Sequence, residues 1–159
     1  MSKKGKYIYD WPRPMFAADI AVFGFFAGKV KLLFIKRKHG PFKNKWALPG
    51  GFVDIDEEVE DAAARELEEE TSLTGLKLEQ MHTFSRVGRD PRGRVVAVLF
   101  MGVLTESGNK IKAGDDAAKA RWFDIEKLPK ELAFDHKEVT RFVIERLKRK
   151  RIYQLRTIK

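Results

Sequence analysis

The most informative part of the sequence is residues 51–73, which read GFVDIDEEVEDAAARELEEETSL. Ten acidic residues and a single base, Arg65, occupy the seventeen positions that begin at Asp54. At about 100° per residue, four apolar side chains of a helix here would share one face. These are Val59, Ala62, Ala63 and Leu67. The pattern predicts an amphipathic helix over residues 56–71, and Asp54 and Glu57 have the spacing of a capping box at its start.

Three glutamates depart from the pattern of an ordinary surface helix. Glu66 and Glu70 flank Val59 on the face that protein should cover, and Glu69 lies at its edge. Their i, i+3, i+4 spacing makes the carboxylates converge, and a divalent cation would relieve their repulsion and their lost hydration. Oxygen ligands that leave room for water suit Mg²⁺, with Mn²⁺ as a substitute. For this spacing alone, the alternative is a solvated acidic helix with lysine partners.

Segments rich in β-branched and aromatic residues lie on both sides of this helix and predict strands. They span residues 17–26, 30–35, 46–48, 76–84, 95–104 and 120–123. A second amphipathic helix is predicted over residues 135–149, where Asp135 and Glu138 fit a capping box and His136 is interpreted as structural. Strands mixed with two helices predict an α/β (α+β) sandwich in which the helices cover a mixed sheet.

Length and composition are those of one domain over residues 1–159, with an N-terminal arm over 1–14 and a basic tail over 149–159. The net charge of +9 favours anionic partners. The tail lacks the interleaved aromatics of a base-stacking surface, so no specific nucleic-acid binding is expected. The chain has no cysteine, no stretch near the ~20 apolar residues of a membrane span and no recognisable signal peptide. We therefore expect a cytoplasmic location and no membrane partner.

The stretch 51–73 resembles the Nudix box, which reads Gly, five residues, Glu, seven residues, then Arg-Glu-apolar-x-Glu-Glu-x-Gly-apolar. The match has the fixed spacing of the whole motif and departs only at Ser72, where the family has glycine. Because a left-handed residue commonly follows a helix end, serine there should cost roughly 1 kcal/mol, and Gly75 offers a slightly later end. The resemblance covers residues 17–148 and implies the Nudix α/β/α sandwich with a mixed β-sheet.

The resemblance implies Mg²⁺-dependent hydrolysis of a diphosphate linkage in a nucleotide. The implied metal ligands are Glu66, Glu69, Glu70 and a backbone carbonyl at Gly50. Glu57 is a further ligand or a contact of one, and Arg65 orients a nearby carboxylate. The catalytic candidates are accordingly Glu69, Glu66 and Arg65. The general base is one of the box glutamates or an acidic residue on a loop outside the box, such as Asp115 or Asp116.

Residues 85–94, SRVGRDPRGR, resemble the Arg-Asp-Pro-Arg-Gly loop of ADP-ribose pyrophosphatases. This resemblance implies that ADP-ribose is the substrate, cut to AMP and ribose 5-phosphate. The substrate-binding candidates are Arg37, Arg86, Arg89 and Pro91. The candidates for stacking on adenine are Tyr9, Trp11 and Phe16.

Two alternatives to this function remain open at the level of sequence. The first is a Nudix enzyme for another nucleotide: a nucleoside triphosphate, a dinucleoside polyphosphate, NADH or capped RNA. The second is a nucleotide-sensing regulatory module, although we expect no room in the chain for an additional DNA-binding domain. A homodimer is a further candidate assembly.

Overall fold

The computed structural model of the chain describes residues 7–26, 28–104 and 117–150. Within them lie seven strands and two helices. The elements are β1 (Met15–Phe26), β2 (Lys29–Arg37), β3 (Trp46–Ala47), β4 (Gly50–Phe52), α1 (Val59–Thr71), β5 (Leu78–Phe84), β6 (Val95–Leu104), β7 (Ala117–Asp124) and α2 (His136–Arg149). None of the helices in these ranges is long and apolar enough to cross a membrane.

The strands form one mixed sheet with β1 and β2 at its centre. The order is β3-β2-β1-β6-β5, β4 also pairs with β1, and β7 also pairs with β2. The pair β1 and β6 is parallel over ten residue pairs, from Met15 and Val95 to Gly24 and Leu104, whereas the other pairs are antiparallel. Strands β1 and β2 form a hairpin, and β5 pairs with the next strand along the chain, β6.

The two helices cover opposite faces of this sheet. Ile20 and Val22 of β1 pack with Ala62, Ala63 and Leu67 of α1 in one buried cluster. The alternate residues of β1 point the other way, because side chains of a strand alternate between the two faces. They pack against α2 in a second cluster, which includes Ala21, Phe23, Val139, Val143 and Leu147. The predicted α/β/α sandwich with a mixed sheet is therefore confirmed.

The start of α1 differs from the prediction. The helix begins at Val59 rather than at residue 56, and its N-cap is Glu58, which makes no side-chain cap hydrogen bond. The predicted capping box at Asp54 is therefore wrong. The Glu57 carboxylate does accept the Asp54 backbone N–H at 3.1 Å, but it does so within the turn that precedes the helix.

The end of α1 is at Thr71, and Ser72 adopts the predicted left-handed conformation, with φ 61° and ψ 17°. Its backbone N–H donates to the Glu68 carbonyl at 2.8 Å and closes the last turn. A later end near Gly75 does not occur. At α2 the N-cap is Asp135, as predicted, but its side chain makes no cap hydrogen bond. That carboxylate pairs with Arg89 instead.

Candidate active site

The last turns of α1 lie directly against a glycine pair at the start of β4. The backbone N–H of Gly50 donates to Oε2 of Glu70 at 2.9 Å. A Cβ atom on Gly51 would stand 2.3 Å from the carboxylate carbon of Glu66, and one on Gly50 would stand 2.2 Å from the Ala18 carbonyl oxygen. Only glycine leaves room for this approach, so the pair brings the backbone against the helix carboxylates.

Arg65 organises the acidic side chains around it. Its guanidinium binds Glu57 through two hydrogen bonds, at 2.7 and 2.8 Å, and donates to Oε1 of Glu66 at 2.7 Å. It also reaches the Phe52 carbonyl at 3.1 Å and lies 3.6 Å from the Glu69 carboxylate. The predicted pairing of Arg65 with a nearby carboxylate is thus confirmed, and it fixes two glutamates at once because the guanidinium fork is rigid.

The electrostatics of these glutamates differ. Hydrogen bonding from Arg65 lowers the pKa of Glu57 and outweighs its partial burial. For Glu66, burial is the larger cause, and it raises the pKa of the carboxyl in spite of the hydrogen bond from Arg65. The hydrogen bond to Glu57 and, to a smaller extent, the hydrogen bond to Glu66 raise the pKa of Arg65, although burial opposes them. Of these two, Glu66 is the carboxylate that would gain more from a further positive charge.

All four predicted metal ligands, Glu66, Glu69, Glu70 and Gly50, line one cleft of about 200 Å³. We call its acidic wall the acidic half, which comprises Gly50, Gly51, Arg65, Glu66, Glu69 and Glu70. The side chain of Glu69 is 39% exposed, that of Glu66 is 14% exposed, and Glu70 is buried. Across the part of the chain that the structure describes, no three acidic or histidine side chains gather closely enough to hold a metal. The predicted convergence is thus incomplete, because Glu66 and Glu70 turn towards Arg65 and the Gly50 N–H.

A second recess of positive and aromatic character adjoins this cleft and shares Arg37, Gly50, Gly51 and Phe52 with it. We use the name basic half for four of its lining residues, Arg37, Phe52, Arg92 and Phe134; the lining also includes Asp19, Arg89 and Asp90. The guanidinium of Arg37 lies 4.7 Å from the centre of the Phe134 ring. That of Arg92 lies 5.0 Å from the same ring and 4.4 Å from the ring of Phe52. Two cations therefore stand on aromatic faces beside the acidic half.

Hydrogen bonds to neighbouring residues hold both arginines of the basic half in place. Arg37 donates to the Pro41 carbonyl at 2.8 Å, and burial, followed by the charge of Arg92, lowers its pKa. Arg92 binds the buried Asp90 carboxylate through its side chain and its backbone N–H. Burial would raise the pKa of Asp90, but these hydrogen bonds outweigh it and the pKa is lowered. Arg92 and Phe134 were not among the predicted site residues, although Arg92 belongs to the arginine-rich loop over residues 85–94.

Arg89 lines the same recess as Arg92 but is buried. Its side chain is 4% exposed and donates to both carboxylate oxygens of Asp135, at 2.8 and 2.7 Å, with Asp19 at 3.4 Å. These carboxylates raise the pKa of Arg89 although burial opposes the charge. Because its donors bind these two carboxylates, Arg89 has a structural role here, and its binding of substrate stays a prediction.

His136 belongs to the same buried network and has the structural position expected of it. Its Nδ1 accepts the backbone N–H of Leu48 at 2.9 Å, just before the glycine pair. Its Nε2 lies 3.7 Å from Asp19. Burial lowers its pKa, so the ring is held neutral and can accept this hydrogen bond.

The other candidates lie outside the two recesses or outside the described residues. Arg86 is exposed and faces Glu138 at 3.7 Å, and Pro91 is exposed. Neither lines the acidic or the basic half. The three candidates for stacking on adenine are 40–80% exposed, and they too line neither half of the cleft. They are Tyr9, Trp11 and Phe16. Asp115, Asp116 and residues 151–159 of the basic tail lie outside the described residues.

A helix of carboxylates against a glycine pair, on an α/β/α sandwich, defines the class of protein. The NUDIX domain family matches residues 15–143, and the chain belongs to the Nudix family. Within that family the chain is a pyrophosphatase, a hydrolase of phosphorus-containing anhydrides.

Two relatives by sequence are informative. The chain is 47% identical over 120 residues to the ADP-ribose pyrophosphatase of Methanocaldococcus jannaschii. The matched region covers 76% of this chain and 69% of that protein. It is 34% identical over 147 residues to the ADPR responsive transcriptional repressor NtrR of Acinetobacter baylyi, which covers 91% of this chain. The chain spans only 58% of the length of that repressor.

Two solved structures share the fold. A MutT/nudix family protein from Enterococcus faecalis has a TM-score of 0.80 at 35% identity, over 89% of this chain and 65% of that one. The NUDIX domain of NrtR from Shewanella oneidensis, crystallised with ADP-ribose, has a TM-score of 0.78 at 28% identity. That match covers 87% of this chain and 94% of the domain.

Proposed function

We propose that this protein hydrolyses ADP-ribose to AMP and ribose 5-phosphate in a reaction that requires Mg²⁺ or Mn²⁺. The observation that carries the proposal is the juxtaposition of the acidic and basic halves around one glycine pair. Such a cleft suits a diphosphate, because one side can hold cations and the other can bind phosphoryl oxygens directly. The choice of ADP-ribose is supported by the 47% identity to an ADP-ribose pyrophosphatase.

The donor chemistry of the acidic half fits a hard divalent cation. Glu66, Glu69 and Glu70 would supply carboxylate oxygens, and Gly50, which lines the same cleft, would supply its backbone carbonyl. A cation held there would neutralise phosphate charge and polarise water. A cation there would compete with Arg65 for Glu66 and with the Gly50 N–H for Glu70.

Other steps of the reaction are assigned to side chains of the protein: positioning of the glutamates, binding of the diphosphate and proton transfer. Arg65 holds Glu66 and Glu57 in place, and Arg37 binds oxygens of the diphosphate from the basic half. Glu69 is the proposed general base, because its carboxylate is the most exposed of the three. It takes the proton of a water molecule that attacks one phosphorus. The bond from that phosphorus to the bridging oxygen breaks, and the other phosphate leaves with that oxygen.

The test is a substrate panel at a fixed Mg²⁺ concentration with product analysis. We expect ADP-ribose to have one of the highest kcat/KM values among ADP-ribose, NADH, diadenosine polyphosphates and 8-oxo-dGTP, with AMP and ribose 5-phosphate as products. EDTA should abolish turnover, and Mg²⁺ or Mn²⁺ should restore it. A clear preference for another compound of this panel would replace ADP-ribose as the substrate, and turnover that persists in EDTA would contradict the metal requirement.

A second candidate is a module that binds ADP-ribose as a signal. It is favoured by the 34% identity, over 91% of this chain, to a transcriptional repressor that responds to ADP-ribose. The two candidates separate when binding and turnover are measured on the same sample. Micromolar binding of ADP-ribose by calorimetry without AMP release in Mg²⁺ would favour sensing, whereas multiple turnovers per molecule would favour the enzyme.

A further inference from the structure

Phe134 occupies an unusual position at the centre of the basic half. It is a half-buried aromatic residue whose backbone has a φ of 53°. A residue with a Cβ adopts this left-handed conformation only where its surroundings enforce it, and such positions cluster at ligand-binding sites. The ring is also the shared contact of Arg37 and Arg92, which come from β2 and from the loop after β5.

The neighbours of Phe134 in the chain fix its backbone on both sides. The Ala133 N–H donates to the Trp46 carbonyl at 2.8 Å. On the other side, Asp135 is held by Arg89 and His136 by the Leu48 N–H. The backbone that carries the Phe134 ring is therefore tied to β3, to Leu48 and to the arginine-rich loop.

Two guanidinium groups placed near each other repel, and the charge of Arg92 contributes to the lowered pKa of Arg37. The electron-rich face of an aromatic ring attracts a guanidinium within about 6 Å of its centroid. Both arginines meet this condition on the Phe134 ring, and both line the recess. Arg37 donates its Nε to Pro41, and Arg92 donates its Nε and Nη2 to Asp90, so the ligand would be bound by the Nη groups of Arg37 and by Nη1 of Arg92. Adjacent guanidinium groups match a ligand with two linked anionic groups.

We propose that Phe134 is a positioning residue that holds Arg37 and Arg92 as a paired clamp for the two phosphoryl groups of a diphosphate. The proposal rests on the proposed hydrolysis of ADP-ribose and identifies what sets the affinity for the diphosphate. Because the clamp binds the ground state and the transition state alike, loss of the ring should raise KM and leave kcat nearly unchanged.

The test compares Phe134→Leu with Phe134→Tyr and with Phe42→Leu. Phe42 is a matched control because it has a similar φ of 62° and touches the Phe134 ring, with ring centroids 4.9 Å apart. We expect Phe134→Leu to raise KM for ADP-ribose at least fivefold with kcat within twofold of the wild type. Phe134→Tyr keeps the ring and should restore KM, and Phe42→Leu should leave KM unchanged.

A second measurement separates this proposal from the proposed function. Binding of inorganic pyrophosphate is measured in EDTA by calorimetry, so that only the protein's own cations contribute. Phe134→Leu should weaken this binding at least fivefold, whether or not the wild type hydrolyses ADP-ribose. If Phe134→Leu does not fold, Phe134→Met, which is unbranched and adaptable, takes its place. Unchanged KM and pyrophosphate affinity, a loss confined to kcat, or an equal loss in Phe42→Leu would each overturn the clamp.

Discussion

The acidic and basic halves of the cleft lie side by side but are assembled from the chain in different ways. In the acidic half, Gly50 and Glu70 are the most distant hydrogen-bonded partners, 20 residues apart. In the basic half, Arg37 and Phe134 come from opposite ends of the domain. The network behind it joins Arg89 to Asp19 and His136 to Leu48, at separations of 70 and 88 residues. The acidic half is thus a local structure, whereas the basic half exists only in the complete fold.

The largest expected effect concerns the chemistry of the acidic half. In Glu70→Gln, we expect turnover to fall about a thousand-fold while the protein stays folded. Glutamine retains an oxygen that can accept the Gly50 N–H, but it removes the charge that a metal ion requires. Turnover of ADP-ribose and thermal unfolding are measured on the same sample.

The control for this variant is Glu68→Gln, which removes an exposed carboxylate from the same helix outside the cleft. It should keep wild-type turnover. Near-normal turnover in a folded Glu70→Gln protein would refute the role of Glu70 as a metal ligand.

The difference between the halves also explains what could be predicted from the sequence. The helix α1, the glycine pair and the pairing of Arg65 all depend on spacing within one motif, so each was predicted close to its observed place. The fold class followed from the alternation of strands and helices. The strand β7 was predicted over 120–123 but spans Ala117–Asp124, because pairing with β2 extends it beyond its apolar centre.

Failures of prediction concentrate in contacts between distant residues. Asp135 has the sequence signature of a cap, yet a buried guanidinium 46 residues away takes its carboxylate. The pair with Arg89 gives this carboxylate two hydrogen bonds to an oppositely charged group, whereas a cap would give it a hydrogen bond to an uncharged backbone N–H, so the ion pair prevails. The same ion pair buries Arg89, whereas Arg92 of the same loop stays partly exposed. Spacing cannot reveal which arginine of one loop turns inward.

The next largest effect tests the ion pairs that support the basic half. Arg89→Met leaves Asp19 and Asp135 buried without their cation, and we expect it to lower the free energy of unfolding by about 3 kcal/mol. Arg86→Met removes an exposed arginine of the same loop and should change it by less than about 1 kcal/mol. Urea unfolding of both variants provides the measurement. Equal, small effects would show that Arg89 is not a structural residue and would favour its predicted role in substrate binding.

A smaller effect should come from steric disturbance of the acidic half. In Gly51→Ala the new methyl group would meet the Glu66 carboxylate, which must move away. Because this carboxylate is the end of a flexible side chain, the fold should tolerate the change, but we expect kcat to fall roughly 10- to 100-fold.

Gly75→Ala is the matched control for Gly51→Ala, since it introduces a methyl group at a φ of +69° with open space around it. It should lower stability by about 1 kcal/mol and leave kcat unchanged. If Gly51→Ala retains full activity, the close approach of the glycine backbone to Glu66 has no catalytic importance.

The smallest expected effect concerns Ser72, where the chain departs from the motif. Its left-handed backbone closes α1 through the hydrogen bond to Glu68, and a residue with a Cβ is strained there. Ser72→Gly should therefore raise the free energy of unfolding by about 1 kcal/mol and the Tm by roughly 2–4 °C. Ser72→Ala retains the Cβ and should give no such gain. Since Ser72 is exposed and does not line the cleft, kcat should not change in either variant. A fall in kcat in Ser72→Gly would mean that the end of the helix sets the positions of Glu69 and Glu70, and the acidic half would then depend on more than the spacing of its motif.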